Sequence, residues 1–224
     1  MRTPAIVSCF WIYRQRPSWR LLDRAARRAG VEAATAAIKE GEDAHVRLRG
    51  SYSLVGLRSD ADFMLWWLTD DLDRLRGIAV ALRRTQLGEH LEARETYLGL
   101  QGESTYSPDH RASFAKGEPP RRYAAVYPFI KTPEWYLLPF EKRRQLMAEH
   151  GEMGREFPVG TNTVRAFGLG DAEFIVALES ETLEDLVACV ETLRRAEVRV
   201  YTQREVPIYL GRLNALESVL AELN

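Results

Sequence analysis

Apolar residues recur along this chain with two spacings, and the spacings predict two copies of one succession of strands and helices. They fall at every second position in strand-like segments and at every third or fourth position in helix-like segments. In the first half the pattern predicts strands over residues 5–13, 49–58, 62–68 and 92–99, and helices over 18–39 and 70–84. In the second half it predicts strands over residues 123–131, 161–167, 173–179 and 199–210, and helices over 139–157 and 183–195.

The two halves also resemble each other residue by residue. The segment DADFMLWWL begins at Asp60, and the similar segment DAEFIVALE begins 111 residues later, at Asp171. Both continue into an amphipathic helix that ends with two arginines, Arg83–Arg84 and Arg194–Arg195. A self-similarity of this length indicates a duplicated architecture.

Each half follows the order βαββαβ, which is that of a ferredoxin-like unit. We therefore predict an α+β fold of two tandem ferredoxin-like halves joined as a dimeric α+β barrel. The expected boundaries are 1–118, including a polar linker loop over residues 101–122, and 119–224. A loop this long inside a compact protein is often functional.

Composition excludes several classes of protein. With 31 Lys and Arg against 32 Asp and Glu, the chain has no basic excess to attract nucleic acid or a membrane surface. No apolar run reaches the roughly 18 residues of a membrane span, and no signal peptide is visible, so we expect a cytoplasmic protein. Cys9 and Cys189 lie in apolar runs and are expected to be buried free thiols. Phosphate loops, HExxH zinc sites, CxxC pairs and serine nucleophile elbows are absent from the sequence.

The strand over residues 123–131 carries polar chemistry on one face. Tyr123, Ala125, Tyr127, Phe129 and Lys131 alternate with a small aliphatic set that includes Ala124 and Val126. The aliphatic set suits packing on helices, and the set with two phenols and an amine suits the lining of a cavity. An edge strand with a solvated face explains the same pattern.

The helix over residues 139–157 places a histidine among apolar side chains. His150 follows Leu146 and Met147 at helical spacing, and Gly151 and Gly154 leave room for a flat group nearby. A metal ligand and a core histidine bonded to a neighbouring polar group both fit this position.

Several segments of the second half together resemble one known family. The run YPFIKTPEWYLLPFEKRRQLMAEHG, the stretch TNTVRAFGLGDAEF and the ending REVPIYLGRL are similar, in order and spacing, to the chlorite dismutase-like haem proteins. Within that family the similarity is greatest to the coproheme decarboxylases of actinobacterial type. The resemblance implies a homopentamer in which the second half binds an iron porphyrin and the first half does not.

The resemblance also implies roles for individual residues near the iron. His150 matches the iron ligand, and Glu197 matches the carboxylate that holds the other nitrogen of that imidazole. His110 matches a histidine on the opposite side of the porphyrin, where it serves as a base toward peroxide.

Four further residues match positions around the reacting edge of the porphyrin. Tyr127 matches a tyrosine that becomes a radical and attacks a propionate, Lys131 a lysine beside a propionate, and Trp135 a pocket aromatic. Thr161 stands where chlorite dismutases carry arginine, so the chain lacks that guanidinium.

The activity implied is the peroxide-dependent oxidative decarboxylation of two propionates of coproheme, which gives haem b, with hydrogen peroxide as the oxidant. A transient contact with ferrochelatase is implied as well. Two alternatives remain: another redox enzyme of the family (a chlorite dismutase or a peroxidase) and a non-catalytic haem-binding protein.

Overall fold

The computed structural model describes residues 5–102, 105–106 and 111–224. It divides into two compact units. The first contains the described residues up to Leu98 together with Leu210–Asn224, and the second contains Gly99–Tyr209. Both units combine antiparallel strand pairs with helices, so the predicted α+β class is confirmed.

The first unit is built on strands β1 to β4. They are β1 (Val7–Gln15), β2 (Val46–Ser53), β3 (Phe63–Thr69) and β4 (Leu91–Leu100), and they neighbour one another in the order β4-β1-β3-β2. The helices are α1 (Arg24–Glu40), α2 (Leu72–Arg83) and the short α3 (Gln86–Glu89). One core cluster joins the helices to the inner face of the sheet; it includes Trp11, Trp19, Ile38, Leu65, Trp67 and Ile78.

The second unit repeats this plan. Its strands are β5 (Tyr123–Lys131), β6 (Gly160–Arg165), β7 (Phe174–Ser180) and β8 (Thr202–Arg204), in the order β6-β7-β5-β8. Its helices are α4 (Pro133–Leu137), α5 (Phe140–Arg155) and α6 (Leu183–Leu193). Two 3-10 segments, Ser113–Lys116 and Glu197–Tyr201, complete it.

The end of the chain belongs with the first unit, which differs from the expected boundary after residue 118. Strand β9 (Tyr209–Asn214) pairs with β2 through Ser51 and Asn214, and helix α7 (Leu216–Ala221) follows it. The indole Nε1 of Trp19 donates to the carbonyl of Leu223 at 2.9 Å. Because Leu220 and Leu223 are buried in the core of the first unit, the segment from Leu210 is part of that unit.

Three elements differ from the sequence prediction. Strand β2 covers Val46–Ser53 and not residues 49–58, because the chain turns over residues 55–57. Helix α1 begins at Arg24 and not at residue 18, because Asp23 caps it by accepting from the amide of Ala26 at 2.8 Å. The strand predicted over residues 199–210 is divided between a 3-10 turn, β8 and β9. Pro207, which has no amide hydrogen to give to a sheet, lies in the gap between the two strands.

In the described part of the chain, no helix is long and apolar enough to cross a membrane. Cys9 and Cys189 are both buried and free, as predicted. Burial raises the pKa of the Cys9 thiol to about 12, so the thiol stays protonated.

Candidate functional site

The register of the second sheet puts Tyr127 in a row with residues of two neighbouring strands. Tyr127 pairs with Val176 on β7, and Val176 pairs with Thr163 on β6. Side chains directly opposite one another in a sheet lie on the same face. Tyr127, Val176 and Thr163 therefore share one face.

Helix α6 covers that face, which contradicts one expectation. The Cys189 thiol on α6 is among the groups that act on the Tyr127 phenol. Leu65, which precedes Val176 by the repeat distance of 111 residues, likewise lies in the core between sheet and helices of the first unit. The prediction that the aliphatic set packs on the helices is therefore wrong: the tyrosine face does.

The opposite face of this sheet holds part of the linker. The amide of Phe114 donates to Asn162 Oδ1 at 3.0 Å, and Asn162 Nδ2 donates to Glu179 Oε2 at 2.9 Å. Glu179 Oε1 accepts from the amide of Arg121 at 3.3 Å. Asn162 and Glu179 are fully buried, so they fix the segment between Phe114 and Arg121 on the sheet.

Tyr127 lies in an environment that keeps its phenol protonated. Burial raises the pKa of Tyr127, and the nearby Glu205 carboxylate raises it further. The Arg194 guanidinium acts in the opposite direction. A buried, neutral phenol can give up an electron only together with its proton, so a proton acceptor is needed beside it.

Lys131 ends strand β5 with its ammonium buried against aromatic rings. Its Nζ lies 4.5 Å from the ring centre of Trp135 and 5.1 Å from that of Phe129. Burial lowers the pKa of Lys131 to about 8, and the charge of Arg199 lowers it as well. The ammonium is thus poorly hydrated, and an approaching carboxylate would be a favourable partner.

Trp135 lies in a packed aromatic cluster. The side chain is buried, and its ring centre is 6.0 Å from that of Tyr106 and 5.8 Å from that of Tyr201. Leu146 of α5 belongs to the same cluster. The Trp135 ring therefore packs against the Lys131 ammonium and connects β5 to helix α5.

His150 is half-buried on α5, one turn beyond Leu146 and Met147, which pack in the Trp135 cluster. Its Nδ1 is buried. A side chain at Gly151 would meet no atom within 4 Å, and one at Gly154 would meet only Leu193, at 3.6 Å. The helix surface beside His150 is thus open to a flat ligand, and an imidazole in apolar surroundings suits the iron of a porphyrin.

Three further residues were predicted to belong to the site: Glu197, Thr161 and His110. Glu197 begins a 3-10 segment and accepts a hydrogen bond from Lys142 Nζ of α5 at 3.0 Å, so its predicted contact with His150 stays a prediction. Thr161 shares the face of Tyr127 but lies in the row of Leu178 and Ala125. His110 lies outside the described residues.

A charged cluster that sequence reasoning missed lies beside Tyr127 and Lys131. Glu205 is bound by both Arg194 and Arg199, the latter at 2.9 Å. The carboxylate side chain is only 12% exposed. No spacing signal predicts the cluster, because its members come from the end of α6, a 3-10 turn and the loop after β8.

Comparison with known proteins identifies similar sequences. The chain is 37% identical over 195 residues to a coproheme decarboxylase of Mycolicibacterium smegmatis, covering 86% of this chain and 84% of the relative. It is 28% identical over 220 residues to a putative heme-binding protein of Halobacterium salinarum, covering 87% of this chain and 44% of that relative.

The fold matches solved structures as well. The chlorite dismutase of Candidatus Nitrospira defluvii in complex with imidazole superposes with a TM-score of 0.88 at 26% identity, over 98% of this chain and 96% of that structure. The sequence pattern that describes the chlorite dismutase family matches residues 15–214. This chain belongs to the chlorite dismutase family.

Proposed function

We propose that this protein is a coproheme decarboxylase, which converts iron coproporphyrin III into haem b with hydrogen peroxide as the oxidant. The observation that carries the proposal is that one strand carries a buried phenol, Tyr127, and, four residues further on, a poorly hydrated ammonium, Lys131. A haem carrier has no need of a buried tyrosine on the same strand as a lysine that could bind a carboxylate. The similarity to the decarboxylase of M. smegmatis supports the same activity.

His150 holds the iron in this proposal. Neutral imidazole is a common ligand of porphyrin iron, and the open helix surface at Gly151 leaves room for the macrocycle. Glu197 is proposed to orient the imidazole through its other nitrogen, which requires the Lys142–Glu197 ion pair to rearrange when the porphyrin binds. The bound iron supplies the oxidising chemistry with peroxide.

Lys131 holds a propionate of the substrate within reach of Tyr127. Tyr127 loses an electron and its proton, and then takes a hydrogen atom from the propionate side chain. Each propionate becomes a vinyl group and releases CO2, one proton and two electrons, and one peroxide takes up two protons and two electrons to give two waters. Trp135 keeps the Lys131 ammonium in place through its ring face.

His110 is proposed as the base that takes a proton from peroxide. Phe114, four residues after it, is tied to Asn162.

The assembly and location of the protein are proposed on the resemblance to the family. We expect a homopentamer in the cytoplasm and a transient contact with ferrochelatase, which would supply the iron porphyrin. Sedimentation velocity of the purified protein tests the oligomer, and co-purification from cells tests the contact.

Non-catalytic haem binding is the second candidate, favoured by the similarity to the putative heme-binding protein of H. salinarum. Titration of the coproheme-loaded protein with peroxide, followed by mass spectrometry, separates the two. A decarboxylase gives a first product that has lost CO2 and two hydrogens from one propionic acid group. Its second product has lost the same atoms from two such groups. A carrier bleaches its porphyrin without that product series.

A further inference from the structure

The cluster of Arg194, Glu205 and Arg199 has a defined internal geometry. Arg194 caps the C-terminal end of α6, and Arg199 lies in the 3-10 turn that follows. Both guanidiniums bind the same oxygen, Oε1 of Glu205. Each arginine keeps more than a third of its side-chain surface exposed, whereas Glu205 is nearly buried. The nearly buried carboxylate of Glu205 thus holds the two partly exposed guanidiniums of Arg194 and Arg199 in place.

The cluster connects the two residues proposed to act on the substrate. Arg194 and Glu205 both act electrostatically on Tyr127, and Arg199 and Glu205 both act on Lys131. Such effects are strong only over a few ångströms in a partly buried site. Arg194 therefore acts electrostatically on the Tyr127 phenol, and Arg199 acts on the Lys131 ammonium.

The charges of this group favour an anion. Arg194, Arg199 and Lys131 are cations at neutral pH, whereas Glu205 supplies one negative charge and Glu173, which also acts on Lys131, supplies a second. The two guanidiniums share one oxygen of Glu205, so each keeps N–H groups that can bind a further carboxylate. Coproheme carries four propionates and haem b carries two, so the substrate has two carboxylates that the product lacks.

We propose that Arg194 and Arg199, aimed by Glu205 as a positioning residue, recognise the two propionates that the reaction removes. This inference rests on the proposed function, because it names how that site selects its substrate. Guanidinium groups suit the role, since their planar fork matches a carboxylate. Loss of the two carboxylates removes the partners of both cations, and the product is then released more readily than the substrate.

A purely structural tie between α6 and β8 is the competing explanation. This explanation predicts that breaking the cluster weakens the binding of all porphyrins to the same extent and lowers the melting temperature of the protein. Selective recognition predicts a change in the ratio of two affinities. The ratio cancels any general damage to the pocket, so it distinguishes the two explanations.

The experiment measures dissociation constants without peroxide for iron coproporphyrin III and for iron deuteroporphyrin IX, which has only two propionates. We expect Arg194→Gln to weaken coproheme binding by about tenfold, the loss expected for a hydrogen bond between charged groups, and to change deuteroheme binding by less than about threefold. Arg199→Gln should have the same effect on both dissociation constants. Arg194→Lys should bind coproheme more tightly than Arg194→Gln, because it keeps the positive charge. Arg195→Gln, at the exposed neighbouring position, should change neither constant.

Glu205→Gln tests the positioning role separately. It adds one positive charge to the cluster, so simple attraction predicts stronger discrimination in favour of coproheme. A positioning role predicts weaker discrimination, because the guanidiniums are no longer aimed. Equal weakening of both porphyrins in the arginine variants would overturn the recognition role, and stronger discrimination in Glu205→Gln would overturn the positioning role. If the parent protein prefers coproheme but releases no CO2 with peroxide, the proposed function fails and the recognition stands.

Discussion

Tyr127 on β5 and Thr163 on β6 lie in one row across the second sheet, separated only by Val176 of β7. Thr161, the position that the resemblance to the family indicates for the missing arginine, lies one row further, beside Leu178. Both threonines are on the face of Tyr127. The strand register therefore favours Thr163 as the β6 residue nearest in line with the phenol.

An arginine introduced at each threonine should separate the two positions. A guanidinium beside the reacting atoms stabilises an anionic oxidant and the negative charge that develops on it. We expect the parent to release oxygen from chlorite slowly, and Thr163→Arg to raise that rate by about tenfold or more. Thr161→Arg should raise it less. If the oxygen electrode shows a larger increase for Thr161→Arg than for Thr163→Arg, Thr161 is the position that corresponds to the arginine of chlorite dismutases.

His150→Ala should remove the iron ligand and leave the fold intact. The side chain is on the surface of α5 beside open space at Gly151, so its loss creates no large cavity. We expect the coproheme Soret band to lose the form typical of imidazole ligation, while far-ultraviolet circular dichroism stays unchanged. His90→Ala, which alters a histidine of the first unit, is the control and should keep the parent spectrum.

Coproheme binding should weaken as pH rises through about 8. The folded, ligand-free protein has a Lys131 pKa lowered to about 8, so the ammonium loses its proton above that pH and no longer attracts a propionate. A bound carboxylate favours the charged form, and binding therefore takes up a proton at high pH. The measurement is the dissociation constant at a series of pH values.

Lys131→Met is the matched variant for this pH dependence. It keeps the apolar stem in the aromatic pocket and removes the charge, so affinity at pH 7 should fall by about tenfold. Its affinity should then be nearly constant between pH 7 and 9. The exposed Lys116→Met should follow the parent curve. A Lys131→Met curve that still bends near pH 8 would assign the titration to another group.

Asn162→Leu should destabilise the second unit and loosen the linker. The change leaves the amide of Phe114 and the carboxylate of Glu179 without the buried amide that joins them. Losing such partners costs about 2–3 kcal/mol of unfolding free energy, measured by denaturant titration. Hydrogen exchange at the Phe114 amide should accelerate. Thr163→Val, at a neighbouring position on the other face, should cost less than about 1 kcal/mol.

The repeating pattern of the sequence predicted most of the fold because each element has a clear period. Strand β5 lies at the predicted residues, and helix α5 lies within the predicted range. The strand predicted over residues 199–210 failed, because alternation alone does not show where Pro207 interrupts pairing. Alternation also separates two faces of a strand without showing which face the helices cover, and the helices cover the tyrosine face.

The candidate site could be proposed from the sequence only in part. Tyr127, Lys131 and His150 are candidates because strand or helix spacing places them beside apolar or aromatic residues. Glu205 was missed because a polar residue in a predicted strand is expected to face solvent, whereas its side chain is only 12% exposed. Its burial comes from two arginines of different elements, and the sequence gives no spacing for such a contact.

The proposed reaction depends most directly on the Tyr127 hydroxyl. Tyr127→Phe keeps the ring and the packing against α6 and removes only the group that loses a proton and an electron. Its affinity for coproheme should stay within about twofold of the parent, because Lys131 and the iron ligand are unchanged. Tyr123→Phe, on the same strand face, is the control and should keep the parent activity.

The decisive measurement is the mass of the porphyrin after titration of coproheme-loaded parent, Tyr127→Phe and Tyr123→Phe protein with hydrogen peroxide. We predict haem b from the parent and from Tyr123→Phe, and unreacted or bleached coproheme without CO2 loss from Tyr127→Phe. Haem b formed by Tyr127→Phe at the parent rate would contradict the account.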